Sequence, residues 1–131
     1  MKLLANEVLS RYKSEDLPEF LEVELVDVNQ RGNFGNCPLH VAAVRGDVEE
    51  IEALVAGGAN VNAAGELGNT PLHEAAIQGN IKAVEALLPH GAEPEATNEA
   101  GDTPLSLALA LGHSAVASTL DMWRNRNDRK H

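Results

Sequence analysis

Five histidines, one cysteine and several closely spaced carboxylates are the residues of this chain that could carry chemistry. His40 and His73 lie 33 residues apart, and His90, His113 and His131 fall at other intervals. A zinc-type site needs three or four His, Cys or carboxylate ligands at short, matched spacings. No segment supplies that set. Cys37 has no second thiol for an internal disulfide, and its acidic surroundings oppose the depressed pKa that a reactive thiolate needs. Glu49, Glu50 and Glu52 lie off the apolar stripe of Ile51, Leu54 and Val55, so they read as a solvated face rather than an acid/base pair. Glu93 and Glu95 suggest no pair either. Nucleophile-elbow and phosphate-loop motifs are missing. The expectation is a protein that is not an enzyme and uses no metal or cofactor.

The elements that carry these residues repeat. The stretch Gly68–Gly79, GNTPLHEAAIQG, holds a short helix with both boundary signals. Thr70 can cap the first turn, and Pro71 suits the first helical position. Leu72, Ala75 and Ala76 share one narrow apolar face, and Gly79 supplies the left-handed stop. About two turns of helix are unstable alone in water. Copies of it begin at Pro38, Pro71 and Pro104, each 33 residues on, with Gly46, Gly79 and Gly112 at the same interval. A second apolar pattern follows each glycine: Val48, Ile51, Leu54, Val55; then Ile81, Val84, Leu87, Leu88; then Ala115, Val116, Leu120. Gly58-Ala59 and Gly91-Ala92 then open polar loops. Such units bury their apolar sides only against neighbours.

A 33-residue unit of a turn and two helices with a TPLH-like start resembles the ankyrin repeat. The resemblance covers residues 27–123 closely. It implies an all-α solenoid of paired antiparallel helices with β-hairpin-like finger turns. It also implies that the TPLH histidines, His40 and His73, tie turn to helix by hydrogen bonds. We expect a single domain over 1–123: a degenerate leading unit over 1–31, units at 32–64 and 65–97, and a closing unit over 98–123. A shift of 33 places Asn60-Val61-Asn62 on Asp27-Val28-Asn29, so Lys2–Tyr12 and Glu15–Val23 read as the two helices of the leading unit. Cys37 replaces the capping threonine of the other units. Residues 124–131 lack apolar periodicity and read as a frayed basic tail.

Charge narrows the partners. From Ser14 to Leu120 the chain holds 17 acidic residues against three basic ones, Arg31, Arg45 and Lys82, a net of −14 within an overall −10. Such a surface repels phosphate backbones, so nucleic acid is not an expected ligand; it attracts a basic protein. The longest apolar run, Leu107–Leu111, is far short of the roughly 20 residues of a membrane span. Asn6 and Glu7 interrupt any signal-peptide core. The lone thiol suits a reducing cytoplasm.

In the ankyrin pattern, finger tips and the exposed side of each first helix form a concave strip. Carried onto this chain, the strip takes Asn33, Phe34 and Asn36; Glu66, Leu67 and Asn69; and Glu99, Ala100 and Asp102. Val44, Arg45, Ile77, Gln78, Ala110 and Leu111 join it from the helices. Phe34 and Leu67 are large apolar residues at loop tips, where polar residues are usual. An apolar centre of Phe34, Leu67, Val44 and Ile77 inside an acidic rim has the composition of a protein-binding hot spot. The expected function is non-catalytic binding of a basic partner protein by a chain that is monomeric when free. Two versions are an immunity-type inhibitor of a basic toxin or nuclease and a general adaptor with apolar contacts.

Overall fold

The computed structural model describes residues 2–128, with side chains described to residue 126. Seven α-helices and three short 3₁₀ turns form among the described residues, and no strand. The helices are α1 (Ala5–Ser14), α2 (Pro38–Arg45), α3 (Val48–Ala56), α4 (Pro71–Gln78), α5 (Ile81–Leu87), α6 (Pro104–Ala110) and α7 (Ser114–Asp128). They stack in two rows. One row runs α2, α4, α6; the other runs α1, α3, α5, α7, and each α2/α3-type pair joins the rows.

Local chemistry sets the helix ends. In α4 the Thr70 hydroxyl accepts from the His73 N–H at 3.3 Å, Pro71 stands at the first position, and Gly79 closes the helix at φ 68°. Asp47 and Asn80 cap α3 and α5 by accepting from Glu50 and Ala83, each at 3.0 Å. Ala42, Ala43, Ala75, Ala76 and Ala108 are fully buried, so the inner row packs with little side chain between backbones. Leu39, Ile51, Leu54, Leu72, Val84, Leu87 and Leu120 fill the layer between the rows. Each finger is a loop closed at its base by a backbone bond, Gly32 N–H to Asn36 O and Gly65 N–H to Asn69 O at 2.8 Å, Asn98 N–H to Asp102 O at 2.9 Å, with a second bond inside it, Gly35 N–H to Gly32 O at 3.1 Å, Gly68 N–H to Gly65 O at 2.9 Å and Gly101 N–H to Asn98 O at 3.0 Å. This tight turn replaces a strand pair.

The leading unit differs from the expectation. Only one α-helix forms, α1, and it packs on α3, so it occupies the outer row in place of a second helix. Glu15–Val23 is not a helix; it holds a 3₁₀ turn at Pro18–Phe20, with Asp16 and Glu22 left-handed at φ 51° and 62°. Pro18 forces Leu17 into extended backbone (φ −63°, ψ 136°), which breaks the helical path. Tyr12 and Phe20, ring centroids 6.3 Å apart and stacked, cover the end of the core instead. The finger register holds nonetheless. Asn29 donates to Gly58 O at 3.0 Å and accepts from Asn60 N–H at 2.7 Å. Asn62 repeats both bonds, to Gly91 O at 3.0 Å and from Glu93 N–H at 2.9 Å.

Two further expectations change. Glu50 is fully buried, not part of a solvated face, whereas Glu49 and Glu52 are exposed. Its carboxylate accepts from Tyr12 Oη at 2.6 Å, Arg11 at 2.8 Å and Arg45 Nε at 3.1 Å, and these partners replace water around the charge. The basic tail is helical at its start, because α7 continues past Trp123 to Asp128. Arg124 pairs with Asp121 at 2.7 Å and Glu95 at 3.6 Å, and the Arg126 guanidinium lies 5.7 Å from the centre of the Trp123 ring. The remainder of the expected tail, 129–131 with His131, lies outside the described residues.

Candidate functional site

The two histidines of the repeated motif are structural pivots. Nδ1 of His40 accepts from Cys37 N–H at 3.0 Å, and Nδ1 of His73 from Thr70 N–H at 3.1 Å. Nε2 must then carry the proton, and it donates to the next finger: His40 to Asn69 O and His73 to Asp102 O, each at 2.9 Å. Burial lowers both pKa values and favours the neutral ring this geometry requires. Ser106 holds the same position in the last unit. It accepts from Thr103 N–H at 2.9 Å and, among the described residues, reaches no further finger. His113 donates to Ile77 O at 3.0 Å, and His90 meets Glu52 at 2.7 Å on the surface. No group of three or more potential ligands clusters among the described residues. Cys37 is buried, its thiol pKa raised chiefly by burial, with Sγ 3.6 Å from Asn29 O.

The finger tips and inner helices divide the expected strip into two parts. At the leading end, polar members are engaged within the fold. Asn33 donates to Pro18 O at 3.1 Å and Leu21 O at 2.9 Å. Asn36 donates to the buried Glu19 carboxylate at 2.7 Å and accepts from Glu66 N–H at 2.9 Å. Arg45 lies 2.7 Å from Glu15 and 3.1 Å from Glu50, with its guanidinium 5.2 Å from the Tyr12 ring centre. These three residues therefore brace the leading segment and are not free contact groups. Phe34 does not fold back over its own loop: it is 54% exposed, its N–H donating to Glu19 at 2.8 Å. Val44 is exposed near the end of α2.

Further along, six expected residues come together. Leu67, Asn69, Ile77, Glu99, Ala100 and Asp102, with Asn98 and Leu107, line one open groove of about 490 Å³ between the last two fingers and α4/α6. Its polar wall is self-satisfied: Asn98 Oδ1 accepts from Ala100 N–H at 3.0 Å and Asp102 N–H at 2.9 Å, and Asn98 Nδ2 donates to Asn69 Oδ1 at 2.9 Å. Asn69, almost wholly buried, in turn donates to Glu74 at 3.0 Å, so it supports the wall from behind. Leu67 is 66% exposed and left-handed (φ 60°, ψ 18°), and its carbonyl accepts from Glu99 N–H at 3.0 Å. An exposed, branched residue in that region carries backbone strain. Glu66, Gln78 and Leu111 are exposed but outside the groove. Leu107 and Asn98 were missing from the expected strip. The signal for Leu107 is the series Val41, Glu74, Leu107 at one repeat position, where an apolar residue returns in the last unit.

No described helix is long and apolar enough to cross a membrane. A family model described as ankyrin repeats (three copies) matches residues 7–98 and 68–122.

Proposed function

Because the chain belongs to the ankyrin-repeat family, whose repeats are generally protein–protein interaction modules, we propose that it binds a partner protein with a basic surface through its finger tips and inner helices. The observation that carries this reading is Leu67. It is the only described residue that is at once apolar, exposed and in left-handed backbone, and it stands at a loop tip beside Glu66 and the Glu99 finger. Strain and exposed apolar surface are both unfavourable in the free chain, and contact with a partner gives them a use. Phe34 occupies the same place one finger earlier and is also more than half exposed. Charge supports the second half of the reading. Glu66, Glu99 and Asp102 form no ion pair among the described residues, and carboxylates at a rim speed association with a cationic surface.

Affinity capture on the immobilised full chain, followed by mass spectrometry, identifies the partner. Phe34→Ala and Leu67→Ala should each weaken its binding by about thirtyfold, the lower bound of an interface hot spot. Full-strength binding by both variants overturns the reading. The salt dependence then separates its two versions. A tight inhibitor of a basic toxin or nuclease shows an on-rate that falls steeply with added salt. An adaptor held by apolar contacts shows little change.

A further inference from the structure

Resting on that protein-binding reading, we propose that the groove between the last two fingers seats one arginine or lysine side chain of the partner. The aliphatic stem lies along Leu67, Ile77 and Leu107, and the cation meets Asp102 and Glu99. Three observations carry it.

The first is the charge of the lining. Among the described residues every ionisable group that lines the groove is a carboxylate, and no cation lines it. The Asp102 carboxylate has one neutral donor, Ser106 Oγ at 3.3 Å. A purely apolar occupant would strip water from these carboxylates without replacement, which is unfavourable. An apolar stem ending in a cation satisfies floor and rim together.

The second is rigidity. Asn98 locks the Ala100–Asp102 loop, and Glu99 N–H fixes Leu67. A wall whose neutral polar groups already bond to one another loses little freedom on binding. It leaves only the carboxylates to recognise a ligand.

The third is the contrast with the preceding repeat. One unit earlier, Glu74 stands in place of Leu107 and Asn69 in place of Asp102. Those two bond to each other at 3.0 Å, so that position lacks the Leu107 floor and the Asp102 charge and keeps only Glu66 in the place of Glu99. Among the described residues the repeat therefore brings the apolar floor and both carboxylates together at one place.

The test uses the full ¹⁵N-labelled chain and three small probes: N-acetyl-arginine methylamide, its neutral isostere N-acetyl-citrulline methylamide, and N-acetyl-norleucine methylamide. The arginine probe should give saturable amide shifts at Leu67, Ile77, Glu99 and Leu107, and the two neutral probes should give none there. The double variant Glu99→Gln/Asp102→Asn should weaken the arginine response by about tenfold. Leu107→Glu, which imports the residue of the preceding repeat, should abolish its shift pattern while the remaining amide spectrum reports an intact fold. Equal responses to arginine and citrulline, or arginine shifts centred on Glu49 and Glu52, overturn the proposal. The captured partner separates this from the broader reading. Binding that is lost with Phe34→Ala but unchanged in Glu99→Gln/Asp102→Asn removes the arginine seat and leaves protein binding standing. Binding unaffected by any of these variants removes both.

Discussion

The Tyr12 hydroxyl donates to the Glu50 carboxylate at 2.6 Å, joining α1 to α3 across 38 residues of chain at a point closed to solvent. Arg11 and Arg45 complete the carboxylate's shell. A buried charge held this way is destabilising once its partners are removed, and its partners are stranded once it is removed. Glu50→Gln should therefore lower stability by about 3 kcal/mol, the low end for a broken buried pair because both guanidinium groups are partly solvated. Tyr12→Phe should cost less, about 1–2 kcal/mol for one buried bond. Urea unfolding measures both. Faster hydrogen exchange confined to α1 in the Tyr12 variant would place the effect at this joint; an unchanged midpoint in Glu50→Gln would show the cluster to be irrelevant to stability.

Cys37 occupies the capping position that Thr70 and Thr103 hold in the next two units. Thr70 and Thr103 accept from the N–H three residues on, at 3.3 and 3.1 Å. The Cys37 side chain makes no cap bond. Cys37→Thr should raise stability by about 1 kcal/mol, the usual worth of a hydroxyl cap. The wild-type thiol, with its pKa raised by burial, should react slowly with alkylating reagents in the native state and rapidly in urea. A destabilised threonine variant would mean that the buried site cannot take the hydroxyl.

Leu67 offers a trade between stability and binding. Its left-handed backbone suits glycine, and its side chain is mostly exposed. Leu67→Gly should raise stability by roughly 0.5–1 kcal/mol, since relief of about 1–2 kcal/mol of left-handed strain exceeds the added chain entropy of glycine. The same change should reduce partner affinity. Gly68→Ala should do the opposite to stability: φ is 75° there, and a Cβ would lie 2.9 Å from the Glu99 backbone nitrogen. Thermal unfolding of the two variants, compared with wild type, checks both signs.

Acid should loosen the stack. His40 and His73 have pKa values below the ordinary 6.5, chiefly because they are buried. As pH falls, the unfolded chain takes up these protons first. The stability the neutral rings contribute is complete above about pH 6.5 and is lost below it, at up to about 1.4 kcal/mol per pH unit for each ring. Glu74 acts the other way, because burial raises its carboxyl pKa above 4.5 and the folded chain protonates it first. Denaturant midpoints should fall from about pH 7.5 to about pH 5.5. A flat profile would show that the rings tolerate protonation in place.

The repeat is legible in the sequence because each unit states its own limits. Thr70-Pro71 and Gly79 mark a helix without reference to any other part of the chain, and the interval does the rest. Leu67 and Ile77 are legible as surface because no helical stripe claims them. Glu50 is not legible. It sits off the stripe of α3 and reads as solvent-facing until Arg11 and Tyr12, 39 and 38 residues away, arrive to cover it. Asn33, Asn36 and Arg45 mislead for the same reason: repeat position places them on the strip, but Glu19 and Glu15 come from the segment that departs from the repeat. Pro18 is the visible warning there, since it ends the helix that the register asks for.

The forward reach of His40 and His73 sets where this molecule can be cut and rejoined. The ring belongs to one unit and its acceptor carbonyl to the next. A cassette excised at the start of a finger leaves a histidine without its acceptor upstream and a carbonyl without its donor downstream. A cassette cut just after each finger, such as 37–69, carries both partners together. Recombination of these units with others, by engineering or by descent, should therefore succeed at the joints Asn36–Cys37 and Asn69–Thr70, between a finger and the helix it leads into, rather than at Gly46 and Gly79, which each such bond spans.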